Sequence, residues 1–354
     1  MPLGSLPGTD PGRVSGLVER LTPGYFALVM ASGIISVGLN LVGFRGLSLA
    51  LLVVCLAAFV ALLALNLWRF VAHRQAMVED FRDPKRAFGF FTFVAGTNVL
   101  GTRVAAEGWY DATAWLLAVS FLVWLVLGYV IPWSAVLGRS ERPVVALANG
   151  TWFIWVVASQ SVAVSAATLE VVFTDARQYL AVLAVFSWSV GVFLYVASAI
   201  IVSLRIMLYE LDPRDFDPPY WVSMGAVAIT VVAGARIVEM DSAPMVDATR
   251  GLIAGLSVVF WAFATWLIPV LVAAGVWRHQ VRKVPLVYVP TLWSMVFPLG
   301  MYAVAGIYLG RADRLPIVEA IGSGWLWVAV AAWAIVFAAM VRSVGAALVR
   351  RDRT

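Results

Sequence analysis

The side chains able to engage a solute are uncharged and sit inside long apolar runs, several of them four residues apart. Ser32 and Ser36, Asn98 and Thr102, and Ser161 and Ser165 each stand at i, i+4, a spacing that stacks two side chains on one helical face. Ser159, Ser223, Thr230 and Ser294 add hydroxyls in equivalent runs. Hydroxyls and amides hold an anion by hydrogen bonds without a full counter-charge, so it binds weakly and leaves quickly, as conduction requires. Small polar residues also serve plain helix packing. Sequence does not fix which face turns inward, so all of these are candidate lining residues.

No Asp, Glu, Lys, Arg or His lies near the middle of any run. Proton-driven carriers commonly hold a carboxylate or histidine at that depth, so the absence favours a neutral conduit over a proton-coupled carrier. Arg103 and Arg236 end two of the runs. At an outer mouth they would concentrate anions; ordinary snorkelling at an interface accounts for them too, and Glu239 and Asp241 lie close enough to neutralise Arg236. Phe297 and Pro298 fall mid-run in Met295-Val-Phe-Pro-Leu-Gly-Met301. Proline kinks a helix and frees a carbonyl. A phenylalanine beside the kink either plugs a narrow path by dewetting it or packs as ordinary core. An enzyme would need His, Cys or paired carboxylates around a pocket. The nearest approach is His73 with Asp80 and Asp83, a cluster that is more often a solvated loop. Cys55 and the two histidines form no intramembrane cluster for haem, copper or zinc, so no cofactor or metal is expected.

These residues must be positioned by membrane-spanning helices. Hydrophobic residues make up 62% of the 354 and charged ones only 13%, about half the share in a soluble domain. Ten stretches free of charge and histidine run 21–44, 46–68, 87–102, 112–138, 143–169, 178–204, 218–235, 251–277, 284–310 and 320–341. Most exceed the ~20 residues a spanning helix needs, and solid rather than alternating apolarity excludes a barrel. Alternate connections, counted from the N-terminal tail, carry eighteen Lys and Arg against seven in the others. The positive-inside rule then puts both termini in the cytoplasm of a multi-pass cell-membrane protein. The net charge of +5 thus reflects topology, and no nucleic-acid partner is expected. Residues 1–20 lack an apolar signal region and read as a flexible cytoplasmic tail. Residues 21–341 form the transmembrane domain, and 342–354 a basic cytoplasmic tail.

The odd-numbered runs begin alike. Pro23-Gly-Tyr-Phe26, Phe88-Gly-Phe-Phe91, Asn149-Gly-Thr-Trp152, Pro218-Pro-Tyr-Trp221 and Pro290-Thr-Leu-Trp293 start 65, 61, 69 and 72 residues apart and share an aromatic fourth position. Such spacing predicts five repeated hairpins. The odd helices carry the Gly, Ser, Thr and Asn, whereas the even ones are richer in Leu, Val, Ala and Trp. An inner five-helix ring around a pore and an outer five-helix ring facing lipid follow.

The chain resembles the tellurite-resistance and C4-dicarboxylate transporter family, relatives of plant slow-type anion channels and of yeast malate and sulfite transporters. The resemblance rests on Pro23-Gly-Tyr-Phe-Ala-Leu-Val-Met30 with Gly33, on Asp83-Pro-Lys-Arg-Ala-Phe88 leading into the third helix, and on Phe297-Pro-Leu-Gly300 in the ninth. It implies a homotrimer with one pore per subunit. It also implies an occluding phenylalanine, which maps to Phe297, and substrates among chloride, nitrate, malate and sulfite. A proton-coupled carrier for dicarboxylate or sulfite and a membrane enzyme remain the alternatives.

Overall fold

A computed structural model describes residues 11–138 and 143–349. Twelve helices account for most of them, with no strand among the described residues: α1 (Pro11–Glu19), α2 (Ala27–Leu41), α3 (Arg45–Ala72), α4 (Arg74–Arg82), α5 (Phe91–Ala105), α6 (Tyr110–Ile131), α7 (Phe153–Glu170), α8 (Arg177–Leu208), α9 (Val222–Val238), α10 (Pro244–Val276), α11 (Trp293–Ala312) and α12 (Pro316–Val349). Setting aside the short α1 and α4 leaves ten long helices in five hairpins. Among the described residues nine of these segments are long and apolar enough to cross a membrane. The tenth, α5 with the turn before it, carries Arg103 and takes the equivalent place in the bundle.

The repeated four-residue motifs are the leading turns of the inner helices. Pro23–Phe26, Ala87–Phe90, Gly150–Trp152, Pro218–Trp221 and Pro290–Leu292 are each a 3-10 turn that runs directly into α2, α5, α7, α9 and α11. Proline suits this place because its fixed φ favours a first helical turn and its missing N–H would have no partner there. In the third repeat Asn149 does the same work by accepting from the Thr151 N–H at 2.9 Å.

These five helices close into a ring in the order α2, α5, α7, α9, α11 and back to α2, and each packs against its own hairpin partner outside. Burial separates the two sets. The inner spans beginning at Pro23, Gly150, Pro218 and Pro290 are 78–89% buried, against 17–33% for the five outer spans. In α5 only Phe93 and Thr102 escape full burial. Outer helices instead present large apolar side chains such as Trp115, Phe193, Trp266 and Ile335, the surface a bilayer solvates. The contrast in composition between odd and even helices is therefore a contrast in location.

Close packing within hairpins depends on glycine. A Cβ on Gly306 of α11 would lie 2.9 Å from the Gly322 Cα of α12, so the two backbones touch as small residues permit. Gly43 and Gly108, 65 positions apart like the first two leading turns, both adopt φ near +85° where their hairpins turn, a conformation that suits glycine.

The N-terminal region departs from expectation. Residues 11–19 are helical rather than a flexible tail. Val18 is buried, and Arg69 of α3 donates from Nε to the Glu19 carbonyl at 3.1 Å. At the other end α12 continues through residues 342–349, so the basic tail begins as helix. Residues 1–10, 139–142 and 350–354 lie outside the described residues.

Candidate functional site

Two cavities lie along the ring, at different heights. The first opens where the inner helices begin and has a volume of about 270 Å³. All five leading turns contribute to its wall, through residues such as Gly24, Gly89, Thr151, Tyr220 and Thr291. Because the inner helices run parallel, their positive dipole ends converge on this N-terminal mouth. Lys85, Arg86, Arg205 and Arg214 line it as well, with Asp215 and Asp217 as the acidic residues.

Part of that charge is already engaged. Arg86 pairs with Asp80 at 2.9 Å. Arg205 approaches Asp215 at 3.6 Å and donates to the carbonyls of Tyr209 and Glu210. Lys85 and Arg214 have no ion pair among the described residues. The Lys85 carbonyl accepts from Asn149 Nδ2 and Thr151 Oγ1, and Trp152 Nε1 donates to the Pro84 carbonyl. These bonds tie the lead-in to α5 onto the start of α7 and hold the basic pair at the rim.

The second cavity, only about 20 Å³, lies deeper and takes lining residues from every inner helix. Ile34 and Val37 of α2, Ile229 and Val232 of α9, and Met301 and Val304 of α11 make its wall mostly apolar, while Asn98, Thr102 and Ser161 supply polar groups and Tyr308 closes the far end. Asn98 Nδ2 donates to Ser161 Oγ at 3.1 Å, and Asn98 Oδ1 accepts from Ser120 at 2.8 Å. No ionised side chain lines this cavity.

On α11, Phe297 falls in sequence between residues that line the two cavities. On α11, Ser294 lines the mouth and Met301 the inner cavity. Seven residues are two helical turns, so both share a face and lie about 10 Å apart along it. Phe297 and Pro298 occupy the intervening turn. Phe297 is 0% exposed and borders neither cavity. Pro298 packs on α9, where a Cβ on Gly225 would lie 2.8 Å from its Cγ. At the same register from their motif starts the other inner helices carry Met30, Ala95, Val156 and Gly225.

The other sequence candidates divide. Asn98, Thr102 and Ser294 line cavities, as does Ser161. Ser32 faces α12, accepting from Trp333 Nε1 at 2.9 Å. Ser159 faces α6, accepting from Trp124 Nε1 at 3.0 Å. Ser223 and Thr230 donate to the carbonyls of Tyr220 and Ala226 on their own helix and line neither cavity. Ser36 and Arg103 require correction. Arg103 reaches no mouth: it is 0% exposed, donates from Nε to Ser36 at 2.7 Å, and is paired with Glu107 at 3.0 Å. Ser48 of α3 completes that cluster. A buried guanidinium must be paired and hydrogen-bonded to be tolerated, so this is a clamp joining α2, α3 and α5, set away from the path. Arg236 follows Ile229 and Val232 on the same face of α9. It lies over the Tyr308 ring at 5.5 Å and pairs with Glu239 at 2.9 Å.

The loop considered for catalysis is dispersed. Asp80 is buried between Arg69 and Arg86, His73 bonds Ser15, and Asp83 accepts from the Lys85 N–H. Sequence reading missed the mouth cluster. Arg205 and Arg214 registered only as loop charge, and Lys85 as loop charge and as part of the Asp83–Phe88 motif, although Lys85 and Asp217 sit at or near the starts of repeat motifs.

Residues 20–341 match the voltage-dependent anion channel family. The chain belongs to that family. It is 59% identical over 162 residues to an uncharacterized membrane protein of Mycobacterium tuberculosis, covering 46% of this chain and 82% of that one. Two uncharacterized transporters of Methanocaldococcus jannaschii align nearly end to end. One is 23% identical over 90% of this chain and 92% of its own length, the other 22% over 95% and 98%. Membership of the voltage-dependent anion channel family supports anion transport by a multi-pass membrane protein and points to a transporter rather than an enzyme.

Proposed function

We propose that this chain passes small inorganic or organic anions down their gradient through the axis of the inner ring, with Phe297 as the gate. The observation that carries the reading is the axial sequence itself: a mouth of five helix N-termini and basic side chains, one fully buried aromatic ring, then a cavity lined by neutral donors. The mouth concentrates anions, the ring excludes water and solute by dewetting, and Asn98, Thr102 and Ser161 offer weak, uncharged contacts. Arg236 at the far end draws anions toward the opposite opening. We place both termini in the cytoplasm, which makes the N-terminal mouth cytoplasmic, and take the assembly to be the homotrimer that the resemblance implies.

Ion-substitution currents on purified protein in planar bilayers test the proposal. The reversal potential should follow the anion gradient and ignore cation replacement. A reversal potential set by cations would overturn it. Currents that appear only under a proton gradient would favour the coupled carrier for dicarboxylate or sulfite.

A further inference from the structure

Among the groups in the mouth, Asp217 is the one whose chemistry the anion path leaves unused. It directly precedes the leading turn of α9 and lines the cavity. Its Oδ1 is shielded from solvent and has no hydrogen-bond partner, and its side chain makes no ion pair among the described residues. A carboxylate so placed carries an uncompensated desolvation cost, and a proton on the carboxyl removes it.

We propose that Asp217 is a proton-binding site in the anion mouth, whose neutral form admits anions and whose ionised form opposes them. This rests on the reading that anions enter through this mouth. The charge balance shows why one proton matters. Of the four cations on the wall, Arg86 shares Asp80 with Arg69, and Arg205 approaches Asp215. Lys85 and Arg214 have no ion pair among the described residues, and an ionised Asp217 offsets part of this positive surplus. Neutral Asp217 restores the surplus and turns an acceptor-only carboxylate into an O–H donor that can face an arriving anion.

The charged surroundings of Asp217 are mixed. Burial pushes its carboxyl up from 3.8 to about 7. Asp215 in the same loop adds to the rise, while Arg278 in the turn just after α10 and Lys85 ahead of α5 pull the other way. Arg278 donates to the neighbouring Phe216 carbonyl. Arg86, Arg205 and Arg214 complete the charged wall, and the starts of α2, α7 and α11 contribute only the neutral Thr22, Asn149, Thr151, Thr291 and Ser294 as polar groups. A group titrating near 7 is about nine-tenths neutral at about pH 6 and about nine-tenths ionised at about pH 8.

The test is anion efflux from proteoliposomes with equal pH on both sides, so that no proton gradient drives it. Wild-type flux should rise about tenfold between about pH 8 and about pH 6, following the neutral fraction. D217N, permanently neutral and nearly isosteric, should stay high and flat. A flat wild-type profile, or D217N with the wild-type pH dependence, would overturn the proposal. If wild type passes no anion at any pH, the transport reading fails separately. The proton site is then read by infrared titration: a protonated-carboxyl stretch that disappears through neutrality and is missing in D217N supports it, and the absence of such a band rejects it.

Discussion

Replacing Phe297 by alanine removes the ring proposed above as the gate. The barrier at stake lies along about 10 Å of path between Ser294 and Met301, where a crossing anion must shed water against apolar groups. Letting water into that interval need lower the barrier by only about 3 kcal/mol to raise conductance about a hundredfold, and F297A should do at least that. The same change empties a fully buried site. Deleting a core phenylalanine costs roughly 3–5 kcal/mol, so the variant must first be shown to be monodisperse and inserted. F297L keeps bulk at the position and serves as the control, with conductance close to wild type. Single-channel recording in planar bilayers reads the result directly. A folded F297A with wild-type conductance would remove the ring from the mechanism and sink the argument drawn from the two separate cavities.

The clamp and the path should respond differently. R103A should lower thermal stability by about 3 kcal/mol, the scale for breaking a buried ion pair, with reversal potentials unchanged; melting and ion-substitution currents read the two effects. S32A should cost about 1–3 kcal/mol by stranding the Trp333 N–H and leave selectivity alone, whereas N98A, at the wall of the inner cavity, should change the permeability order among anions. R236Q should reduce conductance at low salt, and the loss should fade as ionic strength rises and the Debye length shrinks below about 10 Å.

The architecture was legible because two signals agreed. Charge-free runs located the spans, and the recurrence of Pro23-Gly-Tyr-Phe26 and its four counterparts located the inner helices. The sorting of Gly, Ser and Thr into one set worked because only the inner set must pack on every side. Individual linings were less legible. Ser32, Ser159 and Asn98 are alike in a sequence, yet the first two receive indole N–H bonds from outer helices while the third reaches a cavity. What separates them is helix rotation, which is set by partners distant in sequence such as Trp333 and Trp124. Arg103 and Arg236 likewise both end inner helices. Glu107 and the Ser36–Ser48 pair drew one guanidinium into the packing, while Tyr308 kept the other beside the axis. The mouth was hidden for a related reason. Lys85 and Arg214 lie more than a hundred residues apart, and only ring closure brings their loops together.

Parallel alignment of the inner helices gives the conduit a built-in polarity. Each contributes roughly half a positive charge where it begins and half a negative one where it ends. Five together leave the two openings electrically unlike even in identical solutions. Equal and opposite voltages should therefore drive unequal currents, so that the path rectifies without any moving part.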